Sequence, residues 1–289
     1  MSSDTAAPTT EPAPPPKLPR PRTSGLVRAL RAGARVDLAK HAPGEKFGWD
    51  KDAAKAELVR EQAALAELVL KLYAEETAGL LVVFQAVDAG GKGGTIRSVF
   101  GGLAPAAVNV SGFGVPSKDE IAHDYLWRVH ARAPRRGTIS VFDRSHYEDV
   151  LVVRVKGLVP DAVWKRRYGH IRDWERMLTD EGIRVVKFFL NTSKDEQRER
   201  FQDRIDSPDE RWKFRLGDLD DRALWDDYQR AFQAALRETS VAHAPWYVIP
   251  GDRKWVRNLA VARILRHHLE EIDPQWPPAD DEIDGLVVD

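Results

Sequence analysis

Five consecutive apolar residues, Leu80-Leu81-Val82-Val83-Phe84, run straight into Gln85-Ala86-Val87-Asp88-Ala89-Gly90-Gly91-Lys92-Gly93-Gly94-Thr95. A strand apolar on both faces is the mark of a parallel sheet covered on both sides. Parallel strands need long crossovers, usually helices, so this one segment narrows the chain to an α/β, three-layer α/β/α sandwich with a parallel sheet. The rest of the sequence agrees. Residues 50–76 read as a helix, with Asp50 as its cap, Leu58, Leu65, Leu68, Val69 and Leu72 as its apolar stripe and Gly79 as its stop. Further strands are expected at 138–142, 184–190 and 246–249. Helices are expected at 95–100, 116–132, 161–181, 194–206, 224–239 and 254–272. Another should start at Pro208, with Ser207 as N-cap.

Charge and composition exclude several classes. Lys plus Arg number 44 against 45 Asp plus Glu. That balance argues against a general nucleic-acid coat, though a local basic channel for a polyanion depends only on where the charges sit. No apolar run approaches the roughly 20 residues of a membrane helix. The absence of cysteine excludes disulfides and thiolate metal sites and fits a cytoplasmic, reducing compartment. The eight histidines show no HExxH spacing, so no zinc site is expected.

Residues 1–25, with prolines at 12, 14, 15, 16, 19 and 21, read as a disordered tail. Seven basic residues against the single acid Asp37 between Lys17 and Lys40 read as a solvated basic arm. The folded domain is expected at 26–272, followed by an acidic tail at 273–289.

The glycine segment sits between strand and helix, the setting of a phosphate-binding loop. Backbone N–H groups of Ala89, Gly90, Gly91, Gly93, Gly94 and Thr95 can turn toward phosphate oxygens, and the helix N-terminus adds partial positive charge. Lys92 supplies a point charge to a transferring phosphoryl group. The pattern GxxxxGK[ST] is met imperfectly, with Ala86 and Gly93 standing where Gly and Ser or Thr belong. Context and the lysine favour a P-loop over a plain turn. Asp88 would repel phosphate unless a cation lay between them, which makes it a candidate Mg²⁺ ligand rather than a turn-stabilising Asp.

Asp143-Arg144 closes the second expected strand, and ligands of open α/β sheets bind at the carboxyl ends of strands. Asp143 is therefore a second candidate metal ligand and Arg144 a phosphate-facing cation. Residues 198–215 interleave Arg198, Arg200, Arg204, Arg211, Lys213 and Arg215 with five acids. By charge pattern alone this fits a solvated helix face equally well. Its position after the third expected strand is that of a lid, drawn at about 195–222, whose arginines close over phosphates. Asp124 and Arg128, with Glu148, are candidates for nucleotide contact. For Asp124 and Arg128 an ordinary i,i+4 ion pair is the alternative, and Leu126 and Trp127 read as core.

These segments together resemble the type 2 polyphosphate kinases, relatives of thymidylate kinase in fold. The resemblance runs from about residue 44 to 269. It rests on DAGGKGGTIR from Asp88, HDYLWR from His123, FDRSHYEDVLVVRV from Phe142, the stretch ending in RWKF, and APWYVIPGDRKW from Ala244. It implies a P-loop kinase fold with a helical lid, and transfer of the terminal phosphate of inorganic polyphosphate to a nucleotide with Mg²⁺, or Mn²⁺ in its place. The SHYEDVLVVRV wording is similar to the branch that uses AMP or ADP. Carried over, Asp88 and Asp143 match the acidic pair, Lys92 the loop lysine, Arg144 the phosphate-facing arginine and Arg204 the lid arginine. A homo-oligomer, dimer or tetramer, is expected by analogy. An ATP-dependent nucleotide kinase and a non-catalytic phosphate-binding module are the alternatives.

Overall fold

The residues Leu80 to Phe84 have no exposed surface, because the strand they form lies at the centre of the sheet with a helical layer on each face. The computed structural model describes residues 23–280, 283 and 286–288. Among these, five strands form one sheet: β1 (Gly79–Gln85), β2 (Val108–Gly112), β3 (Ile139–Asp143), β4 (Ile183–Asn191) and β5 (Trp246–Pro250). Their order is β2-β3-β1-β4-β5 and every neighbouring pair is parallel. The helices are α1 (Thr23–Leu30), α2 (Lys51–Glu75), α3 (Lys92–Phe100), α4 (Lys118–Ala122), α5 (Trp127–His130), α6 (Val152–Val155), α7 (Asp161–Asp180), α8 (Lys194–Asp206), α9 (Gly217–Ala223), α10 (Trp225–Thr239) and α11 (Lys254–Ile272).

Alternation along β1 divides the core in two. Leu80, Val82 and Phe84 pack with Leu65, Val69 and Leu72 of α2, Val99 of α3 and Leu265 of α11. Leu81 and Val83 face the other way, into Ile171 and Trp174 of α7 and Phe232 of α10. The expected three-layer sandwich is the observed one.

Several local expectations differ from the structure. Strand β2 was not expected, since Val-Asn-Val-Ser-Gly has no apolar run. As an edge strand with much of its surface exposed, it needs none. Helix α2 is capped as expected, Asp50 accepting from the amides of Asp52 and Ala53, but Glu76 ends it in a left-handed conformation (φ 55°). Gly79 instead opens β1. The expected helix over 116–132 is broken into α4 and α5, because the Asp124 carboxylate accepts from the amides of Leu126 and Trp127 and restarts the chain there. No helix begins at Pro208. Ser207 is the C-cap of α8, and its amide bonds the Asp203 carbonyl.

Over its described part the basic arm docks through its apolar residues and backbone, while Arg28, Arg31, Arg35 and Lys40 stay exposed. Val27 and Leu30 are buried in the first core, the Ala32 amide donates to the Trp246 carbonyl at 2.8 Å, and Arg31 bridges Tyr247. The expected end of the disordered tail at residue 25 thus falls inside α1, and the rest of that tail lies outside the described residues.

Gly79 marks a close approach between β1 and its neighbours. A Cβ there would lie 2.7 Å from Ile183 Cδ1 and 2.9 Å from the Arg135 carbonyl oxygen. The Gly79→Ala variant is expected to lose about 1–3 kcal/mol of stability, as overpacked cores do, read as a lower urea midpoint at unchanged slope.

Candidate active site

Register builds the site. Phe84 of β1 pairs with Asp143 of β3, so the loops leaving both strands emerge side by side at the carboxyl edge. Gln85 Nε2 donates to Ser145 Oγ at 3.2 Å and ties the two exits together. The chain turns through Ala89 (φ 55°) and Gly91 (φ 93°), the second being the N-cap of α3. Lys92 opens α3. Its side chain is almost buried and its Nζ donates to the Ala86 carbonyl at 3.2 Å, folding back over the loop.

Across the gap, Arg144 takes a left-handed conformation (φ 62°) that a non-glycine residue adopts only when its surroundings enforce it. Its Nη2 lies 2.7 Å from Asp88 Oδ1. Burial would push the Asp88 carboxyl up, but the charges of Lys92 and Arg144 outweigh it and hold the group below its ordinary value. Asp88 is therefore ionised at neutral pH.

The resulting cleft has a volume of about 590 Å³. Asp88, Ala89, Gly90, Gly91, Lys92, Gly93, Gly94, Asp143 and Arg144 line one side. Arg204, Trp212, Lys213, Arg215 and Asp218 line the other, with Arg97, Gly112, Phe113 and Gly114 forming a further wall. The lining carries six basic side chains (Lys92, Arg97, Arg144, Arg204, Lys213, Arg215) against three acids (Asp88, Asp143, Asp218). On a chain whose net charge is −1, that is a concentrated positive field fit for a polyanion. A larger cavity of about 900 Å³, between residues 37–43 and α10, shares none of these residues.

Six of the expected site residues stand off the cleft. Thr95 is buried and its hydroxyl donates to the Gly91 carbonyl, bracing the loop. Arg200 lies beneath the loop, bonded to Glu196, Ala89, Gly251 and Asp252, so it does not share Arg204's exposure to the cleft. Arg211 donates to the Ile205 carbonyl within its own segment. Asp124 is a cap. Arg128 pairs with Glu120 rather than with Asp124, and its Nη1 donates to the Gly114 carbonyl, so it props the wall. Glu148 is not among the residues that line the cleft, and burial raises its carboxyl pKa against the opposing charges of Arg144 and Lys92. Trp127, read as core, is 43% exposed and stacks on His123.

Arg97 and Asp218 are additions to the expected site, while Arg215, expected among the basic residues of the lid, lines the cleft with Arg204 and Lys213. Only the position of Arg97 on the first turns after the loop could have marked it.

The 204–219 region is loosely packed for a segment bordering a site. Trp212 is 77% exposed, Leu216 80% and Leu219 50%, and α9 buries no residue. Elements with so few buried contacts are the ones that open locally.

A parallel sheet with a glycine loop after its central strand and an Asp-Arg pair after the neighbouring one defines a P-loop kinase fold. Comparison with known proteins narrows this to one family. The polyphosphate kinase 2 (PPK2) family model matches residues 48–277, and the chain belongs to that family. It is 52% identical over 262 residues to the AMP/ADP-polyphosphate phosphotransferase of Meiothermus ruber, covering 90% of this chain and 98% of that protein. It is 41% identical to the ADP-polyphosphate phosphotransferase of Rhodopseudomonas palustris, covering 85% and 89%. The crystal structure of polyphosphate kinase 2 from Arthrobacter aurescens TC1 superposes with a TM-score of 0.86 at 42% identity, covering 88% of this chain and 92% of that one.

The two arginines of α8 separate site from support. Arg204→Ala is expected to fold normally and lose kcat, whereas Arg200→Ala, which frees the loop and Gly251 carbonyls it holds, should lower the melting temperature. Melting curves and steady-state kinetics of both variants check this. Equal melting losses would erase the distinction.

Proposed function

We propose that this protein transfers the terminal phosphate of inorganic polyphosphate to AMP or ADP, with GDP as a further acceptor, reversibly and with Mg²⁺. The observation that carries it is the cleft itself: six cations and three carboxylates line it around a phosphate-type loop at the carboxyl ends of β1 and β3. The names of the relatives support the same reading, including a putative GDP-polyphosphate phosphotransferase of Corynebacterium glutamicum that is 34% identical to this chain.

Phosphoryl transfer asks little covalent chemistry of a protein, so catalysis is positioning plus charge stabilisation. Lys92 and the loop amides hold the transferring group. Arg144, aimed by its pairing with Asp88, faces the charge spread over the equatorial oxygens. Arg204, which forms no ion pair among the described residues, closes from the other side with the 195–222 segment as a lid. The acceptor phosphate is already an anion, so no strong general base is required.

The donor set suits Mg²⁺, which takes one or two carboxylates and completes its shell with water and substrate oxygens. Asp88 is held ionised, and Asp143 Oδ2 would lie 4.0 Å from a Cβ at Gly93, beside the loop. When bound, the ion would neutralise charge between these carboxylates and the phosphates. Cytoplasmic placement and a dimer or tetramer belong to the same proposal. No helix among the described residues is long and apolar enough to cross a membrane.

The decisive experiment offers the purified enzyme polyphosphate or ATP as the only donor, with AMP or ADP as acceptor. Product from polyphosphate is expected. Product from ATP alone would favour an ATP-dependent nucleotide kinase. In the same assay Lys92→Ala should lose about 10²–10³ in kcat while remaining folded. Asp88→Asn and Asp143→Asn should each abolish turnover and blunt its Mg²⁺ dependence. A variant keeping full activity with an unchanged Mg²⁺ requirement would remove that residue from the metal site.

A further inference from the structure

The last helix of the fold meets the phosphate loop from beneath. Arg257, on the first turn of α11, is 2% exposed. A Cβ added at Gly91 would overlap its Nη1, and one added at Gly94 would lie 3.7 Å from its Nη2. Arg200 touches the same glycine from the side, 3.3 Å from that added Cβ.

The two guanidinium groups are satisfied very differently. Every nitrogen of Arg200 has an acceptor: Glu196 for Nε, the Ala89 carbonyl for Nη1, and the Gly251 and Asp252 carbonyls for Nη2. Arg257 Nε reaches Asn258 Oδ1 at 3.3 Å, and its Nη1, although buried, has no hydrogen-bond partner. The acid acting on Arg257 is Glu196, which is already engaged with Arg200. Burial and the repulsion of Arg200 draw the Arg257 pKa down to about 10, which leaves it charged at neutral pH. A buried cation with an open donor costs stability unless something balances it. What lies directly above it is the Gly91–Gly94 backbone, whose other side faces the cleft.

We propose that Arg257 is a positioning residue of the phosphate loop. Packed beneath Gly91 and Gly94, it holds the glycine backbone in its turn, and its uncompensated charge is balanced by phosphate seated on the loop's opposite side. It does not line the cleft and acts through the backbone. The proposal rests on the phosphate-loop reading above and extends it to an element 165 residues further along the chain than Lys92.

The test uses the full chain and polyphosphate of defined length as the probe. Arg257→Met keeps the bulk and removes the charge, and Arg257→Lys keeps the charge. Titration calorimetry should show Arg257→Met binding polyphosphate about tenfold more weakly than wild type, and Arg257→Lys within about threefold of it. In kinetics, KM for polyphosphate should rise in Arg257→Met while KM for the nucleotide stays unchanged. Wild-type affinity in Arg257→Met overturns the proposal, as does an Arg257→Lys variant weakened by tenfold or more, since a purely structural arginine would not be rescued by charge. If Arg257→Met fails to fold, Arg257→Gln takes its place with the same expected loss. Lys92→Ala serves as the reference. If it loses polyphosphate binding while Arg257→Met retains it, the Arg257 proposal alone fails. If neither differs from wild type, the phosphate-loop reading fails with it.

Discussion

The parallel pairing of β1 with β3 is the constraint on which the site depends. With Phe84 opposite Asp143, the two chain exits are forced to leave the sheet as neighbours. A slip of one residue would turn Asp143 to the other face of the sheet. Burial secures the register, because Leu80, Val82 and Phe84 fit one core and Leu81 and Val83 the other. Asp88 and Arg144 then meet without either loop having to be long. The close Asp88–Arg144 pair has a double effect, keeping the acid ionised and fixing the direction of the arginine.

Behind Arg144 the structure spends polar groups deep in the second core. Lys187 of β4 is fully buried, with its Nζ 2.6 Å from Glu175 Oε2 of α7 and 2.9 Å from both the Tyr147 hydroxyl and the Thr239 carbonyl. Burial lowers the amine to about 8 despite Glu175. Tyr147 in turn donates to Glu175 and stacks edge-on against Trp246 of β5. Such a network rarely stabilises more than a well-packed apolar core does, but it specifies one arrangement. Here it pins the Ser145–Glu148 turn, which begins one residue after Arg144, to four other elements. The wording Ser-His-Tyr-Glu is thus explained by packing: Ser145, His146 and Tyr147 are buried, and Glu148 is partly so.

How much of this could be read in the sequence follows from which residues act locally. The central strand, its loop, Lys92, Asp88 and the Asp143–Arg144 pair were legible because each lies on, or in the loop that follows, a strand whose direction the apolar run sets, Lys92 opening the helix after it. The helix from 254 to 272 was legible for the same reason of periodicity. Arg200 and Arg204 were not separable: four residues apart on one helix, they differ in what the phosphate loop and Gly251–Asp252 bring against Arg200. Arg128 and Asp124 looked like an i,i+4 pair, but Asp124 is consumed as a cap and Arg128 reaches back to Gly114. Strand β2 escaped because an edge strand carries half a pattern. Arg257 gave no local signal, since its meaning comes from Gly91 and Gly94.

The docking of α1 and residues 31–32 onto β5 has a consequence for the order in which the molecule can be completed during synthesis. Residues 31 and 32 join a strand made some 215 residues later: the Arg31–Tyr247 bridge and the bond from the Ala32 amide to the Trp246 carbonyl both wait for β5. Until then Val27 and Leu30 have no finished surface to cover. The underside of the phosphate loop waits longer still, for Arg257. Pairings so distant in sequence close slowly, because the entropy of the intervening chain is spent before any contact returns it. The nascent chain therefore carries its phosphate loop long before that loop has the floor that α11 supplies.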